Sequence, residues 1–552
     1  MKKPYLWITL AVLAVYGQAL FFKFTYLDDY TLLVQNAESF TRFANLFRIF
    51  TTDFLSPVTG GQYYRPLFAA SLILNGALGG GSPFLFHLTD ILLHLGVSLL
   101  LYRFLLNFTS EPRALFGGLV FAVHPLLVQT VAWIPGRTDS LAVLFILWYI
   151  IAFDRALKLP SERRHYLYAA LAMAGALLSK ETALLLPLIS LLYAALISES
   201  EKKHKTLLRF VPIWIGLLAL WFAGRSLLLE TAAGWQIETI FSSMYLSAAA
   251  VVQYFGKMLL PFNLSTYPVM PDLRLTFGFL ALAVVALGLL ASKYKRYRVV
   301  IFGAAWFSIF LLVSLIRVKI LPYDEVLEHR AYLALPGLLI IILEFDFFQK
   351  DWRLGAPRLA VAAGVLGLLA IINIAHAANF RNGLAYWKKA VATSPGSPFS
   401  HKQFGALLNA SGDYQSAEEE YKKVITLNPE KTLVYNNLGF LYATLGRAKE
   451  AETMYRFEIA VSPDYDKSYM NLGNLYWQAG RADEAAALWQ KTIALNPYFF
   501  PAYRNLAIYY YEKDRYAEGI KVLLEIRERG GQIDADLLES YRPYLPKSWD
   551  LL

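Results

Sequence analysis

The sequence contains no cysteine, and charged residues make up only 17% of its 552 positions, against about 25% in soluble proteins. The absence of cysteine excludes disulfides, thiol catalysis and cysteine-based metal sites. We also find no P-loop, no glycine-rich nucleotide motif and no nucleophile elbow. These absences argue against a nucleotide-powered pump and against a soluble enzyme that uses nucleotide sugars.

Apolar residues, in contrast, make up 57% of the chain and recur in runs of membrane-spanning length. They predict an all-α membrane bundle whose first helix is uncleaved. We place eleven spans at 5–22, 84–106, 114–131, 140–154, 166–179, 182–197, 207–228, 275–291, 299–316, 331–347 and 358–377. We interpret the remaining apolar segment, 236–260, as an amphipathic helix on the outer surface.

The net charge of +10 belongs to the membrane part, because residues 380–552 hold 21 basic and 21 acidic residues. The basic residues concentrate in the loops 154–164, 198–209, 292–298 and 349–358, which the positive-inside rule places in the cytoplasm. Membrane lipids therefore explain this basicity better than nucleic acid does. Counting eleven crossings from a cytoplasmic N-terminus, we expect residues 23–83, 124–139, 179–181, 229–274, 317–330 and everything after 378 outside a cell (inner) membrane.

The tail is a repeat array with a period of 34, marked by Pro395, Pro429, Pro463 and Pro497. This is the tetratricopeptide pattern, an α-solenoid of helix pairs. It predicts a membrane domain at 1–379 and a repeat domain at 380–552, with repeats near 398–431, 432–465, 466–499 and 500–533. Residues 380–395 resemble the second helix of a truncated leading repeat. The positions that usually face the concave groove are Lys402, Asn436, Asn474, Trp477 and Arg504.

Charged and polar residues collect in the predicted outer segments. They are Asp28, Asp29, Arg65, His124, Arg137, Asp139, Lys180, Glu181, His329 and Arg330. Cations that hold a phosphate and a carboxylate that accepts a proton are what a site for an anionic lipid-linked substrate requires. Simpler roles remain open for single residues. One aspartate can cap a helix that starts at Tyr30, Lys180 and Glu181 can form an interfacial ion pair, and Arg137 can snorkel to head groups.

His87, Asp90 and His94 share one face of the second span. Hydrogen bonds between helices explain them better than a metal site, although a cation bound by Asp29, His87 and Asp90 is an alternative.

The order LDDY, YRPL, FHLTDILLH, FAVHPLLVQTVAWIPGRTDSLA, LLSKET and EHRAYLALPG, followed by the repeats, resembles the transmembrane and tetratricopeptide-repeat O-mannosyltransferases. These are GT-C glycosyltransferases. The resemblance implies a GT-C helical bundle and a polyprenyl-phosphate hexose donor, most often mannose, used outside the membrane. It maps the family's acidic motif onto Asp28 and Asp29, with the first as the usual base. This chain departs from the family at Asp90, usually Asn, and at His329-Arg330, usually Glu-Arg.

We therefore expect a glycosyltransferase that transfers the hexose with inversion to a hydroxyl, Ser or Thr of a protein recruited by the repeats. Cationic side chains can hold the phosphate, so no cofactor is required, although a divalent cation remains possible. The alternatives are a GT-C transferase acting on a lipid or glycan, a transporter or flippase coupled through Asp28 and Asp29, and a non-catalytic scaffold.

Overall fold

The chain folds into two helical units. The structure, a computed structural model, describes residues 3–55, 63–228, 237–293, 295–315, 325–349, 356–430 and 433–546. Its units are Met1–Pro395 and Gly396–Leu552. Within the described ranges the only β pairing is an isolated bridge between Val269 and Glu325, and the predicted all-α class is confirmed. Several predicted features lie partly outside these ranges: the loops 292–298 and 349–358, and the outer segments 23–83, 229–274 and 317–330.

The first unit contains helices joined by short 3₁₀ segments and loops. The helices are Pro4–Tyr16, Ala37–Thr41, Pro66–Gly79, Pro83–Leu105, Glu111–Val123, Val128–Ala132, Arg137–Lys158, Arg163–Leu177, Leu186–Leu196, Lys203–Leu228, Ile237–Leu259, Thr276–Ala291, Tyr297–Leu315, Leu335–Ile342, Asp346–Gln349, Ala356–Ala377 and Gly383–Thr393. The helix Pro66–Gly79 lies inside the segment that we interpreted as an outer loop, 23–83. The helix expected at 236–260 is present as Ile237–Leu259.

Six of the described helices are long and apolar enough to cross a membrane. They are Pro4–Phe21, Pro83–Leu105, Ile134–Lys158, Lys203–Leu228, Tyr297–Leu315 and Arg358–Phe380, and the bent pair Glu111–Val123 plus Pro125–Ala132 makes a seventh. The predicted count of eleven is not confirmed. Some apolar runs form helices shorter than the roughly 20 residues that a crossing needs: Thr276–Ala291 has 16 residues and Leu335–Ile342 has 8.

The interior of the first unit is built around the helix Arg137–Lys158. In the span Ile134–Lys158, 72% of the most apolar stretch is buried, so this helix is central. In the span Arg358–Phe380 the buried share is 22%, so that helix is peripheral. The central helix packs against Pro83–Leu105 and Arg163–Leu177. Because it is enclosed on several sides, its polar residues must find partners inside the protein.

A bend at His124 shapes the segment that enters the central helix. Glu111–Val123 and Pro125–Ala132 meet at 47°. Pro125 has no N–H and disfavours a helical conformation at the residue before it, so the helix ends at Val123. The His124 ring stabilises the break: one nitrogen accepts from the Leu126 N–H at 3.2 Å, and the other donates to the Met258 carbonyl at 2.9 Å.

Residues 380–395 contain a helix, Gly383–Thr393, capped by the Asn382 side chain. Tyr386 exchanges two hydrogen bonds with Thr266, at 2.8 and 2.9 Å, so this helix packs within the first unit. The unit boundary lies after Pro395, whereas the sequence interpretation placed the domain boundary at 379/380.

The described part of the second unit contains the four helix pairs that the repeats predicted, followed by a short helix, Ala535–Tyr541. The pairs are Pro398–Ala410 with Tyr414–Leu427, Val434–Thr444 with Ala448–Val461, Asp466–Gln478 with Ala482–Leu495, and Phe500–Glu512 with Tyr516–Glu528. Each pair turns through a residue with positive φ, which is glycine in three pairs and Asp514 in the fourth. Small residues on the first helix face aromatics on the second, and a Cβ added at Gly439 would lie 2.8 Å from the Tyr455 ring.

Candidate functional site

The two adjacent aspartates have different surroundings. Asp29 is 1% exposed, and its carboxylate accepts hydrogen bonds from the Thr25 N–H at 2.6 Å, the Thr25 hydroxyl at 3.0 Å, the Leu27 N–H at 3.1 Å and the Tyr30 N–H at 3.0 Å. Burial raises the pKa of Asp29, and these hydrogen bonds oppose the rise. Asp29 thus caps the short helical segment Tyr30–Gln35 and closes the turn before it.

Asp28 is partly exposed, and its carboxylate has no hydrogen-bond partner among the described residues. Burial, followed by the negative charges of Asp29 and Glu325, raises the pKa of Asp28 to about 7. Tyr386 lies near both aspartates, whose charges, after burial and Tyr267, raise its own pKa. Of the pair, Asp28 is the carboxylate that remains available for proton transfer near neutral pH.

Arg330 reaches this neighbourhood through Glu325. Its guanidinium contacts a Glu325 carboxylate oxygen at 3.3 Å and the Glu325 carbonyl at 3.4 Å. Since Glu325 acts on the pKa of Asp28, the candidate base and one predicted phosphate-binding cation share a carboxylate neighbour.

Glu328, which sequence reasoning missed, anchors the same segment. Its carboxylate is fully buried and accepts from Lys257 Nζ at 2.6 Å, the Ser265 N–H at 2.8 Å and the His376 ring at 3.2 Å. Burial alone would raise the pKa of Glu328, but Lys257 and His376 hold it below its usual value. The only signal in the sequence was the EHR triplet, in which we selected the second and third residues.

His329 is held in one tautomer by Gln129. The His329 backbone N–H can only donate, so the Gln129 atom 3.0 Å away is the oxygen. The amide nitrogen accordingly donates to the Thr266 carbonyl at 3.2 Å. His329 Nδ1, 3.3 Å from that same oxygen, therefore carries the proton. Burial, then Lys180, Arg330 and Arg65, lowers the pKa of His329 well below its usual value, so the ring is neutral and cannot supply positive charge to a phosphate.

Four further predicted residues form two ion pairs. Arg65 binds Glu181 through two nitrogens, at 3.2 and 2.8 Å, and Lys180 Nζ lies 2.6 Å from an Asp139 oxygen. Lys180 and Glu181 thus pair with different partners and not with each other, which was the simpler alternative considered for them. Lys180, Arg330 and Arg65 all act on the pKa of His329, so these three cations lie near that ring.

Arg137, in the same helix as Asp139, lies in a closed environment. Its side chain is 0% exposed and donates to Asp90 at 2.5 Å, Asn75 at 2.7 Å, the Phe86 carbonyl at 2.8 Å and Ser71 at 3.2 Å. It is not a snorkelling residue, and these contacts leave a role in holding a donor phosphate without geometric support. The arginine connects the central helix to the helices Pro66–Gly79 and Pro83–Leu105.

Of the two histidines in the second span, His94 is held by hydrogen bonds to neighbouring elements. His94 accepts from the Tyr332 hydroxyl at 2.7 Å and donates to the Ala122 carbonyl at 3.1 Å, the interhelical bonding that we favoured. His87 is buried, and Asp90 is taken by Arg137. No group of three potential metal-ligating residues occurs within the ranges described above.

Most of the predicted groove residues contact other side chains of the repeat unit. Asn471 donates to Asn436 at 2.9 Å, and Asn505 donates to Asn474 at 2.8 Å, so the amides form rungs between successive repeats. Trp477 packs against Trp489, with ring centroids 5.5 Å apart. Arg504 pairs with Asp534. Burial lowers the pKa of Lys402, and nearby Glu458 opposes this.

The first unit therefore offers a partly exposed carboxylate, Asp28, whose pKa is raised to about 7. It also gathers Arg330, Arg65 and Lys180 around His329, and Arg330 connects to the surroundings of Asp28 through Glu325. Such a set can remove a proton from a hydroxyl and hold an anionic leaving group. The signals that sequence reasoning lacked are long-range: Arg65 and Glu181 are 116 residues apart, and Arg137 and Asp90 are 47 apart.

Comparisons with known proteins agree with this chemistry. Residues 65–225 match the family described as dolichyl-phosphate-mannose-protein mannosyltransferase. That range includes Arg65, Asp139, Lys180 and Glu181 but neither Asp28 nor Arg330. Residues 405–446 and 470–532 match tetratricopeptide-repeat families.

Individual relatives cover part of the chain. Protein O-mannosyl-transferase TMTC1 of Homo sapiens is 32% identical over 206 residues, 35% of this chain and 23% of that protein. Protein O-mannosyl-transferase TMTC2 of Homo sapiens is 32% identical over 208 residues, which are 33% of this chain and 23% of that protein. The chain thus matches less than a quarter of the length of these relatives. Among solved structures, MamA of Desulfovibrio magneticus RS-1 is 23% identical, covering 26% of this chain and 82% of that chain, with a TM-score of 0.24. The resemblance drawn from the motifs is confirmed: the chain combines a mannosyltransferase-like region with tetratricopeptide repeats, and its relatives are named protein O-mannosyl-transferases.

Proposed function

We propose that the chain transfers a hexose, mannose, from a polyprenyl-phosphate donor to a Ser or Thr hydroxyl of a protein. The observation that carries this proposal is the Asp28 carboxylate, partly exposed, without a hydrogen-bond partner in the described structure and with a pKa raised to about 7. The names of the relatives support mannose and a protein acceptor.

The proposed reaction is a single displacement. Asp28 takes the proton from the acceptor hydroxyl while the acceptor oxygen bonds to the anomeric carbon. The bond from that carbon to the phosphate oxygen breaks, and the lipid phosphate leaves with the electron pair. One displacement inverts the anomeric configuration, by analogy with single-displacement glycosidases.

Arg330, Arg65 and Lys180 stabilise the negative charge that the leaving phosphate gains. Because these guanidinium and ammonium groups supply the positive charge that a metal ion would otherwise provide, the proposed reaction requires no metal ion. The test is transfer in the presence of a chelator. Unchanged transfer supports metal independence, whereas loss that Mg²⁺ or Mn²⁺ restores contradicts it.

The proposed site and the repeats lie on the extracytoplasmic side of a cell membrane. The support is the concentration of basic residues in the loops 154–164 and 198–209, which lie between spans on the opposite side. The repeats are proposed to recruit the acceptor protein, since arrays of this kind present an extended concave surface.

The function is tested with purified protein, polyprenyl-phosphate mannose and a panel of Ser/Thr peptides, with glycopeptide mass as the readout. We expect hexosylated peptide from the wild type and almost none from Asp28→Asn. The matched control is Glu38→Gln, which neutralises an exposed carboxylate of the same segment that pairs only with Arg42. Hexose found on a lipid or glycan instead of any peptide would favour the second candidate, a GT-C transferase with a different acceptor. No transfer to any of them would reject the enzyme.

A further inference from the structure

Two tyrosines flank the aspartate pair, and their rings stack. The ring centroids of Tyr26 and Tyr30 are 4.7 Å apart, and the ring planes differ by 19°. Stacked rings of this kind usually belong to a core. Here Tyr26 is 43% exposed and Tyr30 is partly exposed, so the pair forms an open aromatic surface beside Asp28.

The backbone at Tyr26 is strained. Its φ is +61°, in the left-handed region that a bulky side chain rarely adopts. The Asp29 carboxylate maintains this conformation, because it accepts from the N–H groups of Thr25 and Leu27, on either side of Tyr26. The same carboxylate accepts from the Tyr30 N–H. One buried side chain therefore fixes both members of the stacked pair.

An interfacial aromatic residue does not need this arrangement. The candidate span ends at Phe21, and aromatic residues are common where a helix leaves the membrane. In that role a ring only has to reach the head groups, which an unstrained backbone allows. Backbone strain that surrounding hydrogen bonds maintain is typical of sites where the position of a side chain matters. The proposed base, Asp28, lies between the two tyrosines in the chain.

We propose that the Tyr26–Tyr30 pair is a hexose-binding platform, on which the C–H face of the donor's sugar ring packs. The proposal rests on the transferase function and deepens it by naming the surface that recognises the sugar. A pyranose has a face of C–H groups that contacts aromatic carbons, while its hydroxyls stay free for hydrogen bonds. The platform places that ring next to the proposed base, and Asp29 acts as a positioning residue through Tyr26.

The experiment compares two ligands, polyprenyl-phosphate mannose and the same polyprenyl phosphate without sugar, in competition binding to the purified chain. We expect the wild type and Tyr26→Phe, which keeps the ring, to prefer the mannosylated lipid. Tyr26→Asn removes the ring but retains a residue that tolerates positive φ. This variant should show a preference for the mannosylated lipid that is about 3- to 10-fold smaller than that of the wild type, the range expected for one aromatic contact.

Phe47→Asn is the control, because Phe47 is 90% exposed in the same segment but is not beside Asp28 in the chain. It should leave the preference unchanged. The platform is overturned if the wild type has no preference, or if Tyr26→Asn keeps it. It is also overturned if Tyr26→Asn and Phe47→Asn weaken both lipids equally, which would mark the rings as interfacial anchors. Binding is measured without acceptor, so failure to modify any peptide would reject the transferase while leaving this result intact.

Discussion

At the scale of single residues, the aspartate pair shows how one local difference separates two roles. Asp29 is saturated by hydrogen bonds from its own turn, whereas Asp28 is not. The sequence predicted that neighbours would diverge, because adjacent side chains cannot point the same way. It also offered a helix cap as one role, and Asp29 is that cap. The four donors to Asp29 could not be foreseen, since they depend on the unusual backbone at Tyr26.

The first prediction concerns pH. A general base works only when ionised, and burial, Asp29 and Glu325 raise the pKa of Asp28 to about 7. Transfer should therefore rise as the pH passes through about 7 and level off above it. Removing a negative neighbour lowers the pKa of Asp28, so Glu325→Gln should move this limb of the kcat/KM profile to lower pH. A profile that is flat between pH 5 and 9, or that does not move in Glu325→Gln, contradicts Asp28 as the base.

The second prediction concerns Arg137. Removing one partner of a fully buried ion pair leaves an uncompensated charge, at a cost of about 3–5 kcal/mol. Arg137→Ala should therefore lower the thermal unfolding temperature in detergent strongly. The double variant Arg137→Met with Asp90→Leu, which removes both charges, should recover much of the loss. A stable Arg137→Ala with weakened donor binding would instead support the phosphate role that the motif suggested.

At the scale of elements, the repeats were predictable and the membrane helices only partly so. A period of 34 residues fixes where each helix pair begins, because every repeat packs the same positions. Apolar runs, in contrast, show that a segment is buried but not where its helix breaks. Val123 ends a helix because of Pro125, and Leu335–Ile342 is short although apolar residues continue beyond it.

The third prediction tests the repeat packing. A Cβ at Gly439 would lie 2.8 Å from the Tyr455 ring, so Gly439→Ala should destabilise the repeats by about 1–3 kcal/mol in denaturant unfolding. Ala507 and Leu523 occupy the equivalent positions of the fourth repeat. Gly439→Ala combined with Tyr455→Leu should therefore cost less than the sum of the two changes. The control pairs Gly439→Ala with Tyr421→Leu, in the repeat before, and should be additive.

At the scale of the whole molecule, the sequence could suggest which residues gather in the first unit but not which of them pair. Arg65, Lys180, His329 and Arg330 do come together, as their effects on the pKa of His329 show. The pairing of Arg65 with Glu181, and of Arg137 with Asp90, could not be predicted, because such contacts join segments that are distant in the chain. Nor could it show that His329 is neutral, since that depends on which cations surround it.

The fourth prediction concerns the sidedness of the chain. The absence of cysteine allows single-cysteine labelling without background. Ser411→Cys places a thiol at an exposed position of the first repeat, and an impermeant thiol reagent should label it in intact cells. Ser161→Cys, exposed in a basic loop, should be labelled only after lysis. The reverse result would place the repeats in the cytoplasm and contradict the proposed orientation.

The two ion pairs of the candidate site have a consequence for turnover. Arg65 and Lys180 already hold Glu181 and Asp139. In the reaction that we propose, an incoming phosphate therefore exchanges with one of these carboxylates. Replacing a carboxylate by a phosphate on the same cation costs less desolvation free energy than binding the phosphate to a hydrated cation. The competing carboxylate also weakens the binding of the product phosphate. Once the sugar has left, the same carboxylates compete with the lipid phosphate for its cations. The resident carboxylates would thus displace the lipid phosphate from the cations, so that the charged lipid can leave and the next donor can enter.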